Sequence, residues 1–182
     1  MVIVKKAVDR VVKSGHVILC HDVEGLWIGD GGVWFFVPGA PRMTETEFRS
    51  LYDVPETVKI NEEPDALAAY SLNHTEQGDE YLEKVNTGIS LGAEAYLNPA
   101  RGLRFLSQKV LGCFSAPPTV CEREGPGGMR HLVFKDGLFV CGAMKPRQIL
   151  TPETMEKLEE FLQLCRSTVS KAEDMRNSPR LP

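Results

Sequence analysis

No apolar run in this chain approaches the roughly 20 residues that a helical membrane span needs, so the sequence predicts no membrane association. The opening residues Met1-Val2-Ile3-Val4-Lys5-Lys6 lack the charged-then-apolar order of a signal peptide. The five cysteines, Cys20, Cys113, Cys121, Cys141 and Cys165, are odd in number and far apart, which argues against a disulfide framework. They read as free thiols of a cytoplasmic protein. There is no Cys-x-x-Cys and no His-x-x-x-His, and Cys20 and His21 fall on opposite faces of a predicted strand, so no metal site is expected. Gly125-Pro126-Gly127-Gly128 lacks the Lys-Ser/Thr that completes a phosphate loop, and Gly29-Asp30-Gly31-Gly32 lies inside a hairpin. A cysteine could use His131 as a base, but no spacing joins them, and buried thiols are the expected role. Glu62-Glu63 lies in a polar stretch with no apolar pocket to raise a pKa. These absences predict a non-enzymatic chain without a cofactor.

Composition is that of an ordinary globular protein: 182 residues, 42% apolar, 25% charged, net charge −4. Within it, one pattern occurs twice. From Gly25 to Val37, Asp30-Gly31 joins two apolar runs; from His131 to Val140, Asp136-Gly137 does the same. An Asp-Gly pair between apolar runs is a hairpin signal. Each hairpin leads to Pro-Arg (Pro41-Arg42, Pro146-Arg147) and then a Thr-led helix start.

Taken in order, Val4, Ala7, Val8, Val11 and Val12 predict an amphipathic helix over 3–14, ended by Gly15. Residues 16–22 read as a strand buried on both faces. Thr44-Glu45-Thr46-Glu47 is a capping box opening a helix over 45–53, and 58–60 reads as a short strand. A partial helix is expected at 66–70, and a glycine-interrupted strand over 85–96. Asn98-Pro99 reads as the start of a helix with Leu103, Leu106 and Val110 as its buried stripe. Thr151-Pro152 opens a last helix, whose stripe Met155, Leu158, Leu162, Cys165 and Val169 serves either core packing or a homodimer seam. Residues 171–182 read as a flexible tail.

Charge is unevenly placed. Residues 61–83 hold Glu62, Glu63, Asp65, Glu76, Asp79, Glu80 and Glu83 without one Lys or Arg, about −7 when ionised. This segment is either a solvated linker or an acidic surface for a basic partner. Between Pro99 and Arg147, eight bases stand against three acids, about +5. Arg101, Arg104, Arg130 and Arg147 are the candidate phosphate contacts; alternatively, the two charged regions partly neutralise each other.

The expected architecture is α+β: helix, strand, hairpin, Pro-Arg and helix, given twice, with two antiparallel sheets or one continuous sheet and helices on one side. The divisions are a first half at 1–60, an acidic connecting segment at 61–84, a second half at 85–170 and the tail. Cys20 and Cys121 fall in matching strands.

The tandem of a helix and three antiparallel strands resembles the half-domains of DNA polymerase sliding clamps, best from Tyr96-Leu97-Asn98-Pro99 through Met144-Lys145-Pro146-Arg147. That resemblance implies a nucleic-acid-binding accessory protein. As a whole, an acidic, cysteine-bearing chain of this length resembles the anti-CRISPR proteins that mobile elements use against Cas9. This second resemblance implies a non-enzymatic inhibitor in a bacterial host cell. It would bind the guide-RNA-loaded nuclease and block target DNA engagement or cleavage, with acidic residues standing in for phosphate.

Overall fold

A computed structural model describes residues 1–74, 78–86 and 92–146. The chain divides into two units, Met1–Arg147 and Gln148–Pro182, and all described residues belong to the first. Glu76, Arg147, Cys165, the predicted last helix and the tail lie outside the described residues.

The first half follows its sequence pattern. Helix α1 (Val4–Val12) buries Ala7, Val8 and Val11. Strands β1 (His16–His21), β2 (Gly25–Gly29) and β3 (Val33–Pro38) form an antiparallel meander. The β2–β3 turn is closed by the Asp30 carboxylate, which accepts the Gly32 and Val33 amides at 2.9 Å each. Helix α2 (Glu45–Tyr52) carries the predicted capping box, with the Thr44 amide donating to Glu47 at 2.8 Å. It buries Phe48 and returns the chain to β4 (Lys59–Glu62), which lies parallel to β1.

The second half departs from expectation at its start. Strands β5 (Glu80–Tyr81), β6 (Glu83–Val85), β7 (Ala93–Asn98) and β8 (Gly102–Ser107) precede a short α3 (Gln108–Leu111). The helix expected from Asn98 is therefore a β7–β8 turn. Asn98 Oδ1 accepts the Ala100 amide at 3.0 Å, the Arg101 amide donates to the Asn98 carbonyl, and Gly102 takes φ +82°. Asn-Pro serves here as a turn former, and pairing of Leu97 with Leu103 overrides the helical spacing of the leucines. Strands β9 (Thr119–Glu124), β10 (Arg130–Asp136) and β11 (Phe139–Met144) then form the second meander.

The architecture is α+β, with one mostly antiparallel eight-stranded sheet ordered β4-β1-β2-β3-β11-β10-β9-β5 and a three-stranded sheet ordered β6-β7-β8. The meanders meet at their third strands, where Val33, Trp34 and Phe35 pair with Met144, Ala143 and Gly142. The halves expected at 1–60 and from 85 thus share one sheet.

Alternation sends each strand's residues to two cores. One face packs Val17, Leu19, Leu26, Ile28, Phe35, Val120, Leu132 and Phe134 against α1, α2 and α3, with Tyr96 and Leu106 of the small sheet. Phe114 joins the halves there, its ring 5.9 Å from Phe35 and 5.2 Å from Phe134. Each such side chain contributes roughly 1.5–3 kcal/mol. The other face packs Cys20, Trp27, Trp34, Phe36, Cys121 and Val133 under Ala66, Leu67, Ala69, Tyr70 and Leu72. Residues 64–72 are thus a lid on the sheet. The expected helix at 66–70 is a run of turns, closed by the Ala68 amide on the Asp65 carbonyl and the Tyr70 amide on Leu67. The lid lies close: a Cβ on Gly125 would come within 2.2 Å of the Ala69 carbonyl oxygen.

Candidate functional site

The period of two that builds the cores also divides the charges of β9. Glu122 points to the helix face and Arg123 to the lid face, and each is 1% exposed. Glu122 accepts hydrogen bonds from Arg104 (3.2 Å), Arg130 (3.0 Å) and Asn98 (3.0 Å). Burial pushes its carboxyl up, but the two guanidiniums outweigh this and hold it below the usual range. Glu80 accepts from Asn98 (2.8 Å) and pairs with Arg101 (3.0 Å) and Arg130 (2.7 Å). The Asn98 amide and these guanidiniums hold its carboxyl at about 2. On the lid face, Arg123 binds the Asp79 carboxylate and donates to the carbonyls of Ser71 (3.1 Å) and Asn73 (2.7 Å). Lys135 Nζ reaches the same carboxylate at 2.8 Å. Burial raises the Asp79 carboxyl, and these cations bring it below its ordinary value.

These contacts redistribute the residues named from the sequence. Arg101, Arg104 and Arg130 form no open basic patch, because Glu80 and Glu122 lie against them. Asp79 and Glu80 are tied to the second meander's cations. Glu83 is exposed on β6, apart from the rest. Glu62 and Asp65 are exposed, and Glu63 is half-buried, accepting from Asn61 at 3.2 Å.

Tertiary structure adds residues to these last three. β1 and β4 finish at the same end of the sheet, where β3 and β10 also end and β2 and β11 begin. That end collects Asp22, Glu24, Glu62, Glu63, Asp65 and Asp136. In the loops that form it, 22–24, 39–44, 63–65 and 136–138, Arg42 is the only Lys or Arg. The amino terminus also reaches it and pairs with Asp136. Burial first, then the Asp22 carboxylate and more weakly that of Asp65, push the Cys20 thiol up. His74 fixes part of the rim. The Val140 amide donates to its Nδ1 at 3.1 Å, so the neutral ring carries its proton on Nε2 and donates to Glu24 at 3.0 Å.

The described thiols are ill placed for attack. The four described cysteines are buried, and burial pushes Cys121 to about 12 and Cys141 to about 11, with Cys113 also raised. A nucleophilic thiolate needs the opposite shift. Cys20 lies in the lid-face core, whereas His21 Nε2 meets the Met43 carbonyl at 3.0 Å. His131 Nε2 sits on the Ser71 backbone. Among the described residues, no three His, Cys, Asp or Glu side chains are grouped to hold a metal ion. No described helix is long and apolar enough to cross a membrane.

Sequence reasoning missed Asp22 and Glu24 because it weighed charge along the chain rather than by sheet end. It also missed the buried pairs of Glu122 and Arg123, which follow Val120-Cys121 in β9 and are set inward by the strands that flank them. Comparison of the chain with protein-family models, curated proteins and solved structures finds no match.

Proposed function

We propose that this chain is a protein-binding module without a reaction of its own, which sets the acidic end of its sheet against a basic partner surface. The partner put forward, on the resemblance to anti-CRISPR proteins, is a guide-RNA-loaded Cas9. The consequence would be loss of target DNA engagement or cleavage. The observation carrying the reading is the gathering of Asp22, Glu24, Glu62, Glu63 and Asp65 at one sheet end. Fixed carboxylates there present a negative field to Lys- and Arg-rich grooves that otherwise hold phosphates. The raised thiols support a binding role over a thiolate enzyme.

The sliding-clamp-like alternative has the tandem meanders in its favour. It needs exposed cations for phosphate, and Arg104 and Arg130 are instead ion-paired to Glu122. A pull-down with guide-loaded Cas9 followed by a cleavage assay tests the first reading. The expected result is a complex and blocked cleavage, both weakened by Glu24→Lys with Asp65→Lys. No complex, with full cleavage at excess protein, removes Cas9 as the partner. A low-salt gel shift on duplex and single-stranded DNA tests the alternative.

A further inference from the structure

An apolar cavity opens at the same end of the sheet. β3 and β11 pair only from Val33–Phe35 to Met144–Gly142. At that point β11 bulges: Phe134 faces Gly142 and Lys135 faces Val140, leaving Cys141 as the extra residue. A bulge bends its strand and stops pairing. The two strands splay, and a cavity of about 430 Å³ lies between Phe36 and Pro38 on one side and Phe139, Val140 and Cys141 on the other, with Val2 beside them. Its volume is in the range of about 300–1,000 Å³ typical of ligand pockets. Phe139, which lines it, is 65% exposed, and the preceding residue, Leu138, is 71% exposed. Large exposed apolar side chains around an apolar hollow mark an interaction site.

The rim decides the occupant. Asp136 lines the cavity already paired with the Met1 ammonium, so the acid free for a partner comes from the neighbouring loop: Phe139 stacks edge-on against His74 at 5.4 Å, whose Nε2 holds the exposed Glu24. Asp22 starts the same loop as Glu24. We infer that this cavity receives one apolar side chain, a Leu, Met or Phe, from a basic protein segment whose flanking Lys or Arg residues meet Asp22 and Glu24. The inference rests on the basic-partner reading above and gives that surface its anchor. Interfaces draw most of their affinity from such buried anchors, while rim charges set approach and orientation. A second copy of this chain would set acidic end against acidic end, and an anionic bilayer would meet the same repulsion.

The test titrates the ¹⁵N-labelled full chain with synthetic peptides that carry a single central Leu between lysines. The expected result is amide shifts at 22–24, 36–37 and 139–141, with affinity falling about tenfold when the central Leu becomes Ser. Phe139→Ser, at an exposed position that the fold does not need, should give a loss of similar size, and Glu24→Lys a smaller one that disappears at high salt. Salt-dependent binding that ignores the central residue would overturn the anchor cavity and leave the basic-partner reading standing. Absence of binding by every peptide, alongside a successful Cas9 pull-down, overturns the cavity alone; absence of both removes the two together. Self-association of the free chain abolished by Phe139→Ser would assign the cavity to a second copy, and shifts with zwitterionic vesicles would assign it to lipid; either result overturns the proposal.

Discussion

Replacing Asp79 with Ala should unfasten the lid. Asp79 and Arg123 side chains are 4% and 1% exposed, and Lys135 shares the same carboxylate. Removing one partner of a buried pair typically costs about 3–5 kcal/mol, because the remaining charge stays desolvated. Arg123 keeps the carbonyls of Ser71 and Asn73, so the loss should sit at the low end, about 3 kcal/mol. In a chain of this size that lowers the melting temperature by about 6–12 °C. Urea unfolding by circular dichroism measures the loss, and limited proteolysis locates it. New cleavage should fall within residues 64–74, whose Ser71 and Asn73 carbonyls rest on a guanidinium that Asp79 no longer fixes in place. A loss under about 1 kcal/mol, the size of an exposed pair, would refute the reasoning.

Acid should act through the same groups. Asp79, Glu80 and Glu122 all have folded values below their ordinary ones, Glu80 at about 2. The unfolded chain therefore binds protons first, and the contribution of these groups is complete above the unfolded carboxylate value of about 4. It is lost as pH falls from there towards about 2, so urea midpoints should drop across that window and the slope should flatten in Asp79→Asn; midpoints independent of pH would contradict this. Gly125→Ala places a methyl within 2.2 Å of the Ala69 carbonyl, so it should destabilise by about 1–3 kcal/mol and loosen the lid, as thermal melts and proteolysis can show. Cys20, Cys113, Cys121 and Cys141 should resist alkylation in the native protein and all react once it is unfolded. Peptide-resolved mass spectrometry would expose a fast native thiol among them and with it a different function.

The acidic end is a property of topology. Asp22 and Glu24 lie about 40 residues from Glu62 and Asp65 along the chain, too far for a window of local charge to join them. The parallel pairing of β1 with β4 sets them side by side. The hairpin tip at Asp136 arrives at the same end through the β3–β11 seam. The same seam, opened by the β11 bulge, makes the cavity. Charge and hollow are thus two results of one strand arrangement.

Local pattern was enough for α1, β1, both Asp-Gly hairpins and the Thr44 capping box, because each follows from periodicity, a turn dipeptide or a cap within a few residues. The α+β class and the helices on one side followed from their order. The sequence alone misread residues 98–107: spacing of leucines by three suggested a helix, and pairing with β7 made a strand. It also left open whether 61–83 is a linker or a surface. Tertiary structure divided the described part of that segment: residues 64–72 became a lid, Asp79 the counter-ion of buried Arg123, Glu80 that of Arg101 and Arg130, and Glu62 and Asp65 part of an exposed acidic end. Which carboxylate faces inward depends on the strand it pairs with and the face it takes, and neither is written in the neighbouring residues.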